Sequence, residues 1–399
     1  MYGCVLLRVL RLRGQSVDQY ARDLFTEVRN LIDKLVQKYG LRLDSIRSHI
    51  EYSRPRYFVK EESSSERAIA VGSLLDELRS RCREILPERI VVEDCSKRSL
   101  AYRIGLILAD GYVADDAKIV FSTTNYTLLA ILLKSFGEVY VKGASTACVM
   151  VTGEVKPVLS FHVLDRDAVR LMGRVIGGEV PFNSAIEFAD FLSGLIDGDG
   201  TVDGFRSVIR LWCCEEKLRR FLHVLEECSR RGYFDYVVRV DEVRDGSKLL
   251  RVDFSEQSMR ESCFLYLLEL LHPEKSSALK RIRGTYLSRD SVARVLSHLN
   301  IRFVEKVNPF TGGVSRRIEL RFTKYRDEVI EFLTQVLGIP RDRVKVRSLG
   351  SGRKCVAVSV SRYHVDWCLK ILKFLEKFNL RSRLEKLSEG VRLLSEDLT

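Results

Sequence analysis

The chain has 399 residues, 46% hydrophobic and 30% charged, which suits a packed core and excludes a disordered polymer. Sixty-six Lys and Arg against 54 Asp and Glu give a formal net charge of +12, a balance that favours a polyanionic partner. Ten scattered cysteines without a C-x-x-C pair and six dispersed histidines argue against a zinc or redox centre, and no apolar run reaches the length of a membrane span. The start MYGCVLLRVLRLRG mixes Arg into its apolar run and lacks a small-residue cleavage site, so a soluble, cytoplasmic protein is expected.

Residues 1–97 read as an N-terminal α+β extension. A strand-like start leads to an amphipathic helix from Ser16 to about Tyr39, a polar break at EESSSER (61–67) and a helix through LLDELRSRCREIL. AYRIGLILADG then forms an apolar helix that carries small residues and ends in Asp-Gly. KIVFSTT (118–124) alternates as a strand, YTLLAILLKSF (126–136) is helical, EVYVK, ACVMVT and PVLSFHV are strands, and DAVRLMGRVI is helical. FLSGLIDGDGTVDG (191–204) echoes the first Asp-Gly segment and is opened by Ser184-Ala-Ile-Glu187, which has capping-box spacing. After it, GFRSVIRLWC alternates as a strand, EKLRRFLHVLEEC is helical, FDYVVRVDEV and SKLLRVDF form a hairpin around Asp245-Gly246, and QSMRESCFLYLLELL is helical.

Each half therefore runs helix, strands, helix, strands, helix, with Asp110 and Asp199 about ninety residues apart, the room one such unit needs. The first half takes residues 98–180 and the second 181–285. In 286–399, VSRRIELRFT (314–323), YRDEVIEFLTQVL (325–337), the DRVKVRSL and GRKCVAVSVS pair and YHVDWCLKILKFLEKF (363–378) spell strand, helix, hairpin, helix. Two origins fit that rhythm: a diverged, motif-less relative of the same unit, or an unrelated α+β domain.

Within the second motif Gly194 and Gly198 share a helix face, as Gly105 and Ala109 do in the first. Glycine inside a helix costs about 1 kcal/mol relative to alanine, and close helix packing is the compensation that small residues four apart allow. Helices crossing on those faces would bring Asp110 and Asp199 together at two C-terminal ends. A carboxylate there faces the negative end of the macrodipole, and a cation reverses the penalty. Two carboxylates with the carbonyls of Ala109 and Gly198 make an all-oxygen site suited to Mg²⁺ and to phosphodiester chemistry. Asp-Gly after a helix is also a common stop-and-turn signal; two copies in matching contexts favour the paired site.

RIGLILADG (103–111) and LSGLIDGDG (192–200) resemble the two motifs of LAGLIDADG homing endonucleases in their single-chain, two-repeat form. The second copy is close, whereas the first opens with Arg103 and Ile104 and has Leu108 where the inner acid is often found. The resemblance, which covers roughly residues 98–285, implies an α+β fold of two pseudo-twofold αββαββα repeats. It implies a monomeric, divalent-metal-dependent endonuclease for double-stranded DNA, with Mg²⁺ or another divalent cation held by Asp110, Asp199 and the carbonyls of Ala109 and Gly198. The family also places a lysine near the end of each repeat; Lys275 fits this in the second, and Lys142 or Lys156 in the first.

In the family a curved sheet from each repeat straddles the major groove. Arg206, Arg210 and Trp212 are expected on one face of the 205–212 strand and Phe205, Ile209 and Leu211 on the other. Arg239 with Asp241 and Arg251 with Asp253 would add a mixed face suited to base edges, and Lys118 a contact from the first repeat. Two other readings stay open: a non-cleaving binder on the same scaffold, either an intron RNA maturase or a DNA-binding regulator, and a structural protein whose motifs are only packed helices. The chain lacks the starting nucleophile and terminal His-Asn of an intein, so a free-standing or intron-encoded protein is expected.

Overall fold

Each motif segment becomes a helix because a serine caps its start. The Ser99 side chain accepts the N–H of Tyr102, and the Ser184 side chain accepts that of Glu187 while the Glu187 carboxylate accepts the Ser184 N–H in return. Each helix stops at a glycine that starts a strand: Gly111 at φ −93°, ψ 158° and Gly200 at φ −86°, ψ 162°, their N–H groups donating to the carbonyls of Ile107 and Ile196. The computed structural model describes residues 8–41, 65–148, 155–244, 247–307, 314–348 and 354–395. The chain divides into two units, one running to Gly177 together with Asp197–Asp199, the other comprising Gly178–Ile196 and the residues from Gly200 onward.

The first unit contains β1 (Val9–Leu12), α1 (Val17–Lys38), α2 (Ser65–Ile85), β2 (Arg89–Val92), α3 (Leu100–Asp110), β3 (Gly111–Val113), β4 (Lys118–Thr123), α4 (Tyr126–Phe136), β5 (Glu138–Cys148), β6 (Val155–Leu164) and α5 (Arg166–Ile176). One six-stranded sheet runs β1-β2-β5-β6-β4-β3. The N-terminal segment thus extends the β5 edge of the first repeat's sheet through an antiparallel β2–β5 pair, with β1 parallel to β2. Alternation buries Ile119, Phe121, Phe161 and Val163 against Leu129, Leu132 and Leu133 of α4, whose Lys134 is paired with Asp18 of α1.

The second unit takes α6 (Ala185–Asp199) as far as Ile196, then β7 (Gly200–Asp203), β8 (Val208–Cys214), α7 (Glu215–Arg219), α8 (Leu222–Arg230), β9 (Tyr236–Arg244), β10 (Ser247–Phe254), α9 (Glu256–Glu261), α10 (Pro273–Arg283), α11 (Arg289–Ser297), β11 (Leu299–Val307), β12 (Val314–Phe322), α12 (Arg326–Glu331), β13 (Lys345–Ser348), β14 (Lys354–Val360), α13 (Val365–Lys377) and α14 (Arg381–Ser395). It holds two four-stranded sheets, β7-β8-β10-β9 and β11-β12-β14-β13. Both repeat the order β3-β4-β6-β5 found in the first unit, so three sheets share one connectivity. A single core joins the last sheet to its helices: Ile318, Leu320, Phe322, Val356, Val358 and Val360 pack with Val295 of α11, Phe332 beyond α12 and Phe374 of α13, and Tyr266 closes it against Phe374 at 5.5 Å between rings. Among the described residues no helix is long and apolar enough to cross a membrane.

Four expectations about elements change. EVYVK and the start of ACVMVT join into one strand, β5, bent by a bulge between Val141 and Gly143. The helix expected over EKLRRFLHVLEEC breaks into α7 and α8 at Arg220 and Phe221. QSMRESCFLYLLELL is no continuous helix, because Cys263 takes a left-handed conformation at φ 64° and a 3-10 turn over Phe264–Leu267 follows α9. The third stretch gains α11 and β11 ahead of the expected strand. The Asp245-Gly246 turn lies outside the described residues.

On the face of the β11–β14 sheet opposite the core, Glu319 is 2% exposed and accepts hydrogen bonds from Arg321, at 2.9 Å to Nε, and from Arg347. Burial pushes its carboxyl up, but the Arg321 hydrogen bond and the charges of Arg321, Arg347 and Arg317 outweigh that and hold it below the ordinary value. A depressed carboxylate contributes stability that is complete above its unfolded value and fades as pH falls through the folded one. Glu319→Gln should therefore lower stability by about 1–3 kcal/mol at neutral pH, less than a fully buried pair because Arg347 is partly solvated. Urea denaturation from about pH 6 to pH 3 should then show a shallower acid loss than wild type. An unchanged pH slope would show that the carboxylate is not the titrating group.

Candidate functional site

The two motif ends meet backbone to side chain. A Cβ placed on Gly198 would lie 2.4 Å from the Ala109 Cβ and 2.8 Å from a carboxylate oxygen of Asp110. No side chain fits in that gap, so glycine at this position answers to close approach and not to a turn. Asp110, the last residue of α3, is exposed, and its carboxylate lies directly against the backbone one residue before Asp199, which is half-buried. The expected meeting of the outer-aspartate segments is present at Ala109, Asp110 and Gly198. Gly105 and Gly194 are buried on their helices.

Tyr102, wholly buried in the first turn of α3, donates its hydroxyl to the carboxylate of Asp197, which is 2% exposed. Burial and the Asp197 charge drive the phenol's pKa well up, so it stays a donor. This bond and the Gly198 contact hold the last turn of α6 at two points along α3. Sequence reasoning missed Tyr102, because no spacing rule links it to an acid 95 residues away.

The potential ligand atoms at the motif ends are all oxygen, namely the carboxylates of Asp110 and Asp199 and the last-turn carbonyls; those of Ile107 and Ile196 accept the Gly111 and Gly200 N–H groups. That chemistry fits a hard cation such as Mg²⁺, which keeps several waters and needs few protein ligands. Among the described residues no group of three or more His, Cys, Asp or Glu side chains is arranged to hold a metal, so a cation here would draw on carbonyls, waters and substrate oxygens.

Lys275, in the first turn of α10, donates to the Ile196 carbonyl at 2.8 Å and so sits at the end of the second motif helix. The same helix braces the β7–β8 turn, where the Arg281 guanidinium lies 4.8 Å from the centre of the Phe205 ring. Lys142 is exposed at the β5 bulge, and Lys118 shares the open face of β4 with Val120, opposite His162. His162 stacks on Tyr140 at 4.9 Å and is pushed below its usual value by burial, then by the charges of Lys118 and Lys142. Lys156 lies in β6 opposite Ala147, and its side chain is outside the described set.

The second sheet's open face is a lattice of arginines on carboxylates. Asp253 receives Arg210 at 2.6 Å, Arg251 at 3.2 Å and Arg239 at 3.5 Å; Arg251 also reaches Asp241 at 3.0 Å and lies over the Trp212 ring. The strand register explains this, since Arg251 stands opposite both Trp212 and Arg239, and Asp253 opposite Arg210. The expected face is therefore present, with one correction. Phe205 and Arg206 precede the strand in a turn that Asp203 closes by accepting their N–H groups at 2.9 and 3.1 Å, so Phe205 is 87% exposed and Arg206 lies off the sheet face.

Gly198→Ala should push the Ala109 and Asp110 side chains away and cost about 1–3 kcal/mol in urea denaturation. Tyr102→Phe should cost about 1.5–3 kcal/mol by removing one buried hydrogen bond to the Asp197 carboxylate. Wild-type stability in either variant would mean that the motif ends are not packed as described.

No protein-family model matches the chain, and no curated protein does. Among solved structures it is similar to the homing endonuclease I-DmoI in complex with DNA and Ca, at 17% identity and a TM-score of 0.30 over 45% of this chain and 96% of that one. It is similar also to the N-terminal LAGLIDADG domain of DUF199/WhiA, at 17% identity and a TM-score of 0.29 over 49% and 85% of the two chains. Full-length DUF199/WhiA from Thermatoga maritima matches at 13% identity and a TM-score of 0.30 over 74% and 91%. These likenesses are distant, and the functional reading rests on the chain's own residues.

Proposed function

We propose that the protein is a divalent-metal-dependent endonuclease for double-stranded DNA, with Asp110 and Asp199 as the metal-binding carboxylates. The observation that carries this reading is the seating of the Asp110 carboxylate against Gly198, the residue before Asp199. Both motifs keep a carboxylate at the helix C-terminus, where the macrodipole favours a neighbouring positive charge. The carbonyls of Ala109 and Gly198 complete the donor set. Bound there, a divalent cation supplies charge for the attacking and leaving oxygens of a phosphodiester.

The protein's own part is positional. In this reading Asp110 and Asp199 supply the oxygens that face a scissile phosphate, and Lys275, within the second unit, is tied to the Ile196 carbonyl. Water forms the new bond to phosphorus as the bond to the leaving oxygen breaks, and the water's proton passes to solvent. Arg210 and Arg251 are hydrogen-bonded to Asp253 and Asp241, with Arg239 at 3.5 Å from Asp253, and such an arginine-rich face suits recognition of guanine edges in the major groove.

A second reading is a nucleic-acid binder on the same scaffold that does not cleave and acts on intron RNA or as a DNA regulator. Incubation of a randomised duplex library with Mg²⁺ or with EDTA separates the two. Endonuclease action predicts metal-dependent cuts at one reproducible site, reduced roughly 100- to 1,000-fold or more in Asp110→Asn and in Asp199→Asn while duplex binding persists. Salt-sensitive binding without cleavage at any temperature, with or without metal, would leave the binder as the function.

A further inference from the structure

The β11–β14 sheet has the connectivity of the two motif-bearing sheets but no motif. The helix that precedes it, α11, ends in Val-Leu-Ser at Ser297, with His298 at its C-cap and no carboxylate where Asp110 and Asp199 stand. Its sheet nevertheless keeps one feature of the second repeat's sheet, an open face of arginines gathered on a single acid. Among the described residues Arg302, Arg317, Arg321, Lys345 and Arg347 occupy this face, with Lys306 farther along β11, and Arg321 and Arg347 bond to the Glu319 carboxylate. The register puts them together: Arg302 stands opposite Glu319, and Arg321 and Lys345 both stand opposite Ala357 on β14. Among the described residues, helices α11, α13 and α14 pack on the other face, where Ile301, Ile318, Leu320, Phe322, Val356, Val358 and Val360 are buried.

We propose that this third sheet is a second DNA-docking surface, which holds duplex DNA by its phosphates and lengthens the bound footprint without taking part in cleavage. Charge complementarity selects a polyanion, and spacing selects the duplex. Arg317 and Arg321 are four residues apart on β12, roughly 13 Å along an extended strand. That is close to the width of a B-form major groove, about 12 Å, so the two reach opposite phosphate rows while the sheet lies between them. The major groove of an RNA duplex is deep and narrow and does not admit such a sheet. Because Glu319 orients Arg321 and Arg347, the face is arranged before DNA arrives.

The test uses the full chain and a fluorescent duplex of about 40 base pairs, whose binding is followed by anisotropy across a range of salt concentrations. The variant Arg302→Gln/Arg317→Gln/Lys345→Gln removes three charges and leaves Arg321 and Arg347 on Glu319, so no carboxylate is stranded. Each phosphate contact contributes a slope of about 0.9 in log affinity against log salt, so the slope should fall by roughly 2–3. At moderate salt the affinity should drop at least about tenfold, with the thermal midpoint unchanged. A companion with Lys at positions 302 and 317 should restore most of the slope, which excludes misfolding as the cause. Wild-type slope and affinity in the Gln variant would overturn the proposal, as would a loss confined to an RNA duplex of the same sequence. The surface is independent of catalysis: Asp110→Asn should keep the full salt slope, so failure of the endonuclease reading and failure of this one give different results.

Discussion

The candidate site depends on a contact with no room in it. Gly198 comes so near Ala109 and Asp110 that a methyl group would overlap both, and this fixes where the first aspartate lies relative to the backbone that carries the second. Glycine in a helix is a local cost; here it permits an approach that any other residue forbids. Tyr102 reinforces the contact from the other end of α3 through a buried charge-assisted hydrogen bond to Asp197, which is worth more than a neutral one. Once the contact exists, Asp110 at the end of α3 lies against the backbone that leads into Asp199.

The chain builds one architectural unit three times. In each, a helix leads straight into a hairpin, a second helix crosses, another strand pair follows, and the last strand slots beside the second. Helices take one face of every sheet because alternation makes that face apolar, and the opposite face is left to polar side chains. In the second and third sheets those side chains are arginines that share a central acid: Asp253 in one, Glu319 in the other. A shared carboxylate restrains several guanidinium groups at once and lowers the entropy lost when they meet a partner. The first sheet instead offers Lys118, Lys142 and the Tyr140–His162 stack, so the faces are related in position and differ in chemistry.

Much of this was legible in the residues alone. The Ser184–Glu187 capping box, α4 over Tyr126–Phe136, the β9–β10 pair and the side of that pair carrying Arg239, Arg251 and Asp253 all follow from local rules of capping and alternation. Elements failed where the backbone departs from its local preference. Cys263 turns left-handed and ends α9 early, and Asp203 draws two N–H groups into a turn that removes Phe205 and Arg206 from the strand. Neither residue type demands such a conformation, so periodicity alone misjudged both.

The sequence by itself determined the two Asp-Gly helix ends, the small residues beside them, the period of the strands and the excess of positive charge, because each of these is a matter of spacing or composition. Only the tertiary structure decided that Asp110 lies against Gly198, that Tyr102 serves Asp197, that β1 and β2 extend the first sheet and that Arg321 and Arg347 converge on Glu319. Those facts join residues far apart along the chain, and which distant side chains meet is set by packing and strand register, which no local pattern encodes.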